Sequence, residues 1–361
     1  MSEQTLTVTS AAAERGPLAM EASSISKDFK VGRGQALHAV RDVSFNLYRG
    51  AVVALVGESG SGKSTAARLL AGQERLTSGT IKLDGKPVEV TSRSDFRRYK
   101  SQVQYVFQDP FASLNPVHTV RYHLERPVKL HHRRDTNVDS EVVALMEQVR
   151  LIPAGQFLAK YPHELSGGQR QRVSFARALA ARPSVLLADE PVSMLDVSIR
   201  LEMLSLLDDL RQRFSLAMLY ITHDIASARY FADEVLVMYA GEIVERGPAE
   251  EVTQQPAHPY TQLLVASAPD PDNLGSALRG GSRGSNGARR QESQRPRAPE
   301  QVATTGCPFS PRCPLADDRC RREDPALLRI SATRGAACWR LDVAAPELVS
   351  GLPGGGRTTD N

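Results

Sequence analysis

The sequence predicts an α/β fold with a mainly parallel sheet that helices cover on both faces. Short apolar segments, such as residues 51–56 and 185–188, alternate along the chain with segments of helical spacing, such as residues 201–214. Strands that alternate with helices are typical of parallel sheets, whose buried strands read as continuous apolar runs. The 361 residues are 41% hydrophobic and 24% charged, which is ordinary for a globular chain.

The elements follow from local patterning. Residues 43–47 alternate, residues 80–85 end in a hairpin signal, and residues 102–108 alternate again. The further predicted elements are helices at 64–71, 169–181, 201–214 and 225–232, strands at 51–56, 185–188 and 216–222, and a hairpin at 234–246 that turns at Ala240-Gly241. Residues 110–160 are polar and helix-prone, with apolar residues at helical spacing from 142 to 149.

Composition divides the chain into five parts. The predicted parts are a disordered N-terminal segment (1–21), a main domain (22–269), a flexible linker (270–305), a cysteine-rich extension (306–345) and a disordered tail (346–361). The linker prediction depends on its many Gly, Ser and Arg residues, which bury too little surface to order a chain.

Hydropathy and charge argue against several classes of protein. No apolar run approaches the ~18 residues that cross a bilayer, and the first twenty residues carry Glu3 and Glu14 without a signal-peptide pattern. The formal net charge is +4, and residues 275–301 alone contribute six Arg against two Glu. The rest of the chain is therefore neutral, so we expect no nucleic-acid partner, although an RNA- or lipid-binding tail stays open.

A phosphate-binding loop lies between the strand at 51–56 and the helix at 64–71. The sequence GESGSGKST fits G-x-x-x-x-G-K-[ST], in which backbone N–H groups and a helix N-terminus cradle phosphates. Lys63 would neutralise the β- and γ-phosphates, and Ser64 would bind Mg²⁺. The predicted nucleotide-contacting residues of the loop are Gly57, Glu58, Ser59, Gly60, Ser61, Gly62, Lys63, Ser64 and Thr65.

An acidic pair ends the apolar strand at 185–188. We predict that Asp189 holds the Mg²⁺ shell and that Glu190 is catalytic, as a general base or by orienting the attacking water. An acidic pair at a strand end is common by itself, and the phosphate loop makes the functional interpretation strong.

A second anion cradle, LSGGQ, occupies residues 165–169 at the start of a predicted helix. The phosphate loop already serves the chain's own nucleotide, so this turn is predicted to serve a nucleotide bound by a partner subunit. Its predicted nucleotide-contacting residues are Ser166, Gly167, Gly168 and Gln169.

With these motifs in order, residues 22–269 resemble the ATP-binding cassette (ABC) ATPases. Phe29 matches the aromatic residue that stacks on adenine, Gln108 the Q-loop, Asp196 the D-loop and His223 the switch histidine. Core packing stays open for Phe29, and a structural role for His223. Met194 in the D-loop departs from the more usual Ala or Thr.

The resemblance implies a P-loop NTPase cassette: a RecA-like core, an antiparallel β subdomain and a helical subdomain. Two cassettes would close over two ATP molecules, with Ser166 and Gly168 on the partner's γ-phosphate and His223 ordering the water held by Glu190. It also implies that Ser64, Asp189 and Gln108 surround Mg²⁺, and that Gln108 carries closure to membrane subunits.

Three features resemble the oligopeptide/dipeptide importer branch: residues 108–116, residues 258–264 and four cysteines beyond the linker. Four clustered thiols favour a metal centre over disulfides in a reducing compartment. The resemblance favours a [4Fe–4S] cluster, while Zn²⁺ and unmetallated thiols stay open. The predicted ligands are Cys307, Cys313, Cys320 and Cys338.

The resemblance thus implies an ATPase subunit of a peptide importer, peripheral on the inner face of the cell membrane. Its expected partners are a second ABC ATPase subunit, with a heterodimer favoured over a homodimer, two transmembrane permease subunits and an extracytoplasmic solute-binding protein. The alternatives are an importer of nickel, glutathione or oligosaccharide, a soluble cassette acting on ribosomes or DNA, a non-catalytic partner cassette and a redox-sensing iron–sulfur regulator.

Overall fold

The computed structural model describes residues 16–32, 35–109, 113–131, 136–268 and 302–349. Within these ranges the strands form two sheets. The predicted linker up to residue 301 and the end of the predicted tail lie outside the described residues.

The smaller sheet is antiparallel and has the order β2-β1-β4-β5. Its first strand begins earlier than the sequence predicts, because residues 18–21, assigned above to a disordered segment, belong to β1. Ala19 and Met20 are buried there, so the pairing with β2 and β4 gives them a core to enter. The strands are β1 (Leu18–Val31), β2 (Gln35–Tyr48), β4 (Ser78–Leu83) and β5 (Lys86–Pro87).

The larger sheet has the order β11-β12-β10-β9-β3-β8-β7-β6. The five strands from β9 to β6 are parallel, and β10, β11 and β12 pair antiparallel at one edge. The strands are β3 (Val52–Val56), β6 (Val103–Val106), β7 (Val185–Asp189), β8 (Ala217–Thr222), β9 (Glu234–Tyr239), β10 (Glu242–Pro248), β11 (Leu328–Arg329) and β12 (Gly335–Ala336).

Buried side chains of β3 alternate between two cores, one on each face of this sheet. Val52, Ala54 and Val56 belong to one core, while Val53 and Leu55 belong to the other. This explains why β3 reads as a continuous apolar run, as buried parallel strands do.

Helices pack against the larger sheet and carry recognisable start signals. Ser92 and Asp95 form a capping box before α2, and Ser166 and Gln169 form another before α6. The helices are α1 (Lys63–Leu70), α2 (Arg93–Gln102), α3 (Val120–His131), α4 (Val138–Gln148), α5 (Ala154–Leu158), α6 (Gly167–Leu179), α7 (Val197–Phe214), α8 (Ile225–Phe231), α9 (Ala249–Gln254), α10 (Pro259–Ser267), α11 (Asp318–Arg322), α12 (Leu341–Ala344) and α13 (Pro346–Val349).

Residues 302–349, here called the C-terminal segment, add two strands to the larger sheet, and their first part packs in a core of the main domain. Strand β12 pairs with β10, and Phe309 is 2% exposed within the same core as β3 and α6. The predicted cysteine-rich extension (306–345) therefore packs on the main domain. The predicted disordered tail (346–361) is too long, since α13 begins at Pro346.

None of the helices in the described ranges has the length and apolar character needed to cross a membrane.

Candidate functional site

The phosphate loop connects the end of β3 to the first turn of α1, as the motif requires. Gly62 precedes α1 with φ +107°, a conformation that side chains rarely adopt, and a Cβ there would lie 2.2 Å from the Ala39 carbonyl oxygen. A Cβ on Gly57 would lie 2.2 Å from the Met238 carbonyl oxygen. Strands β2 and β9 therefore fix the loop so closely that only glycine fits at these two positions.

Lys63 is almost completely buried inside this loop. Its Nζ donates hydrogen bonds to the carbonyl oxygens of Gly57 and Glu58, each at 2.7 Å. Burial lowers the pKa of Lys63, while the carboxylates of Glu190, Asp189 and Glu58 oppose this shift. The ammonium group is thus held at the loop by backbone carbonyl oxygens, and its contact with phosphate stays a prediction.

Ser64 and Asp189 meet at the end of β7. The Ser64 hydroxyl donates to Asp189 Oδ1 at 3.0 Å, and Asp189 is 4% exposed. A hydroxyl and a carboxylate side by side are oxygen donors of the kind that Mg²⁺ prefers. Two of the three predicted magnesium-binding residues are therefore adjacent, and their chemistry fits the ion.

Glu190 contacts the other predicted catalytic residue, His223, and the predicted Q-loop residue, Gln108. Its Oε2 accepts a hydrogen bond from Gln108 Nε2 at 2.8 Å and lies 3.2 Å from His223 Nδ1. Glu190 has φ +44° and donates its N–H to the Ile221 carbonyl oxygen at 3.0 Å, which ties this strained residue to β8. Gln108, the third predicted magnesium-binding residue, contacts Glu190 in this arrangement.

The LSGGQ turn begins α6 and faces outward. Ser166 and Gly167 are exposed, while Gly168 is buried. Ser166 Oγ accepts the N–H of Gln169, and Gln169 Oε1 accepts the N–H of Ser166 at 3.0 Å. The exposed start of α6 leaves this anion cradle accessible to a second molecule.

The D-loop lies beside the LSGGQ turn. A Cβ on Gly167 would be 3.7 Å from the Leu195 side chain, and Asp196 and Met194 are exposed.

Phe29 lies on β1 of the smaller sheet and is half-buried, with the Lys27 ammonium 4.8 Å from its ring centroid. Phe29 is therefore not a core residue, and its role in adenine stacking stays a prediction.

The four cysteines are free thiols of the C-terminal segment. Burial raises the pKa of Cys307 to about 12 and that of Cys338 to about 11, with nearby cysteines adding to both shifts. The thiol donors suit a soft metal, but metal binding needs thiolates. Within the described residues, no three His, Cys, Asp or Glu side chains are arranged to hold an ion. The structure therefore does not support the predicted four-cysteine metal centre.

Sequence motifs missed three residues at the site. Tyr105 donates its hydroxyl to Asp189 Oδ2, the Tyr260 hydroxyl accepts the N–H of Glu58, and Arg312 forms an ion pair with Glu58. No local pattern could have found them, because each acts from an element remote in sequence from its partner.

Comparisons with known proteins agree with this geometry. Residues 40–193 match the family "ABC transporter", and residues 244–320 match "Oligopeptide/dipeptide transporter, C-terminal region". The di/tripeptide transport ATP-binding protein DppF of Pseudomonas aeruginosa is 40% identical over 329 residues, covering 88% of this chain and 96% of the relative. The chain belongs to the ATP-binding subunits of oligopeptide/dipeptide ABC transporters.

Other relatives of this ABC ATPase support the same family. A probable peptide ABC transporter ATP-binding protein of Sinorhizobium fredii, y4tS, is 39% identical over 327 residues, or 88% of this chain and 89% of the relative. Among solved structures, the dimeric cassette MJ0796 with ADP and Pi matches with a TM-score of 0.58 and 27% identity. That match covers 64% of this chain and 99% of the other, and it confirms the predicted cassette fold.

Proposed function

We propose that this ABC ATPase binds and hydrolyses ATP to energise the import of oligopeptides or dipeptides. The observation that carries the proposal is the grouping of Glu190, Gln108 and His223 next to the Ser64–Asp189 pair and the phosphate loop. The peptide substrates are supported by relatives that are named for peptides. These names do not favour the alternative importers of nickel, glutathione or oligosaccharide.

In this function, different residues of the chain carry out different parts of phosphoryl transfer. The loop N–H groups and Lys63 hold the triphosphate, and Glu190 positions and activates water, with His223 beside it. Bound at Ser64 and Asp189, Mg²⁺ would supply positive charge against the phosphates. Because Gln108 and His223 both contact Glu190, a change at either one alters the position of the catalytic carboxylate.

The catalytic unit is proposed to be a pair of cassettes. The exposed LSGGQ turn and the neighbouring D-loop would cap the nucleotide held by the other cassette, which gives this second anion cradle a ligand. A heterodimer is favoured over a homodimer, and the large exposed Met194 would meet the partner. Mass measurement of the complex purified with ATP distinguishes the two.

Further proposed partners are two transmembrane permease subunits and an extracytoplasmic solute-binding protein. This arrangement places the chain peripherally on the inner face of the cell membrane. Co-purification of the permeases with the tagged chain from solubilised membranes supports the proposal, and their absence from such preparations contradicts it.

For the four cysteines, we keep a [4Fe–4S] cluster as a proposal, with Zn²⁺ as the alternative. The support is the donor type alone, since four cysteine thiolates suit either centre. Binding would require the thiols to ionise and to move closer together. Iron and zinc analysis of anaerobically purified protein distinguishes the two, and finding neither metal rejects both.

The Glu190→Gln variant tests hydrolysis. The amide cannot take a proton from water, so we expect ATP turnover by the assembled transporter to fall at least about 100-fold while ATP binding is kept. Size-exclusion chromatography with ATP should then show a trapped cassette pair. The control is Glu251→Gln, on the exposed surface of α9, and unchanged turnover in Glu190→Gln would contradict the proposal.

A further inference from the structure

The C-terminal segment reaches the phosphate loop through the side chain of Arg312. Its Nη1 and Nη2 donate to Glu58 Oε2 and Oε1, each at 2.8 Å. The Arg312 side chain is 15% exposed and that of Glu58 is 31% exposed. Two parallel hydrogen bonds between a planar guanidinium and a carboxylate fix orientation as well as distance.

An aromatic cluster holds Arg312 in place for this contact. Its guanidinium carbon lies 5.5 Å from the ring centroid of Phe309 and 5.8 Å from that of Tyr239. Phe309 in turn packs against Tyr239, Tyr260 and His258. The Arg312 N–H donates to the Phe309 carbonyl oxygen at 3.0 Å, so the side chain projects from a short turn that is anchored in the core.

Glu58 connects this cluster to the phosphate-binding lysine. Its N–H donates to the Tyr260 hydroxyl at 2.8 Å, and its carbonyl oxygen accepts Lys63 Nζ at 2.7 Å. The backbone and the side chain of Glu58 are thus both engaged from α10 and the C-terminal segment.

We propose that Arg312 is a positioning residue of the nucleotide site, acting through Glu58 to pre-order the phosphate loop. A loop containing three glycines among residues 57–62 loses conformational entropy when its N–H groups converge on phosphate. Fixing Glu58 beforehand removes part of that cost. The affinity for ATP then depends on the packing of the segment that carries the four cysteines. This inference rests on the ATP binding proposed above.

The test compares Arg312→Gln with Arg321→Gln in the assembled transporter. Arg321 lies in the same segment, in an exposed ion pair with Asp318. Arg321→Gln therefore removes the same charge as Arg312→Gln but leaves the contacts of the phosphate loop unchanged. For Arg312→Gln we expect the Kd and KM for ATP to rise about five-fold, with kcat little changed. Arg312→Lys keeps the charge but loses the bidentate contact, so its values should be intermediate.

A double-mutant cycle tests whether Arg312 affects ATP binding through Glu58. If Arg312 acts through Glu58, then adding Arg312→Gln to Glu58→Gln raises the Kd for ATP no further. An Arg312→Gln variant that binds ATP as tightly as wild type, or that loses kcat at unchanged KM, overturns the inference. If Arg312→Gln fails to fold, Arg312→Lys decides by the same criteria. Failure of the wild-type transporter to bind ATP would instead reject the proposed function.

Discussion

The carboxylate of Asp189 accepts hydrogen bonds from two hydroxyl groups, one on Ser64 and one on Tyr105. Burial and the neighbouring Asp189 raise the pKa of Tyr105, so its phenol stays a neutral donor. Ser64 belongs to the phosphate loop and would itself bind the ion, whereas Tyr105 lies on β6. The tyrosine therefore orients the carboxylate from outside the predicted metal shell.

Removing the phenol hydroxyl in Tyr105→Phe should weaken the response to magnesium. Groups that orient a metal-binding side chain contribute about tenfold or more to metal affinity, so we expect the Mg²⁺ concentration for half-maximal ATPase activity to rise about tenfold. Tyr122→Phe, on the exposed face of α3, is the control. A magnesium titration of Tyr105→Phe that overlays the wild-type curve would show that the hydroxyl does not orient Asp189.

Glu58 shows what the sequence could and could not predict about single residues. Its motif placed it in the phosphate loop. The resemblance paired Glu190 with His223, which lie together, but it assigned Gln108 to Mg²⁺, whereas the Gln108 amide contacts Glu190. The motif could not reveal Arg312 as its partner, because the two are 254 residues apart and no periodicity links them.

At the scale of the element, His258 starts α10 and couples it to the C-terminal segment. Its Nδ1 accepts the N–H of Tyr260 at 3.0 Å, and its ring also hydrogen-bonds the backbone of Ala337. Complete burial lowers the pKa of His258 from its ordinary 6.5 to about 3. A protonated ring could not accept at Nδ1, so the folded state requires neutral histidine.

This requirement predicts a pH dependence of stability. The folded pKa lies below the unfolded one, so the contribution of His258 is complete above pH 6.5 and is lost as the pH falls toward 3. Between pH 7 and 5, the wild type should lose about 2 kcal/mol more unfolding free energy than His258→Gln. Denaturant titrations at both pH values measure this difference.

His163→Gln, at an exposed histidine, is the control and should keep the wild-type pH dependence. Equal pH dependence in wild type and His258→Gln would show that the buried ring does not resist protonation.

Periodicity predicted the interior elements better than the chain's peripheral ones. The continuous apolar runs of β3, β7 and β8 required burial on both faces, and the structure provides it. Strand β1 begins in a stretch without clear periodicity, and β11 and β12 have two residues each. Tertiary pairing rather than local pattern determines such strands.

At the scale of the whole molecule, the first part of the C-terminal segment lies in a core that also contains residues of β3, the strand that leads into the phosphate loop. Phe309 is buried among Tyr239, Tyr260 and His258, and the cluster adjoins the strands that support the phosphate loop. Composition predicted a linker followed by a C-terminal extension, but it could not show where the extension packs.

Truncation of this shared side chain in Phe309→Ala should therefore destabilise the whole cassette. We expect a loss of about 3–5 kcal/mol, with the C-terminal segment and the nucleotide site unfolding in a single transition. Leu328→Ala removes a side chain that is 40% exposed and should change stability by less than about 0.5 kcal/mol. Two separate unfolding transitions, with the nucleotide site unaffected, would contradict a shared core.

The long separation between Glu58 and Arg312 also has a consequence for biosynthesis. A ribosome adds about 5–20 residues per second, so roughly 10–50 s pass between the synthesis of the two residues. During that interval the nascent cassette has its phosphate loop without the guanidinium that fixes it. A chain released prematurely, before residue 312, would therefore carry every nucleotide-binding motif and still bind ATP less tightly than the finished protein.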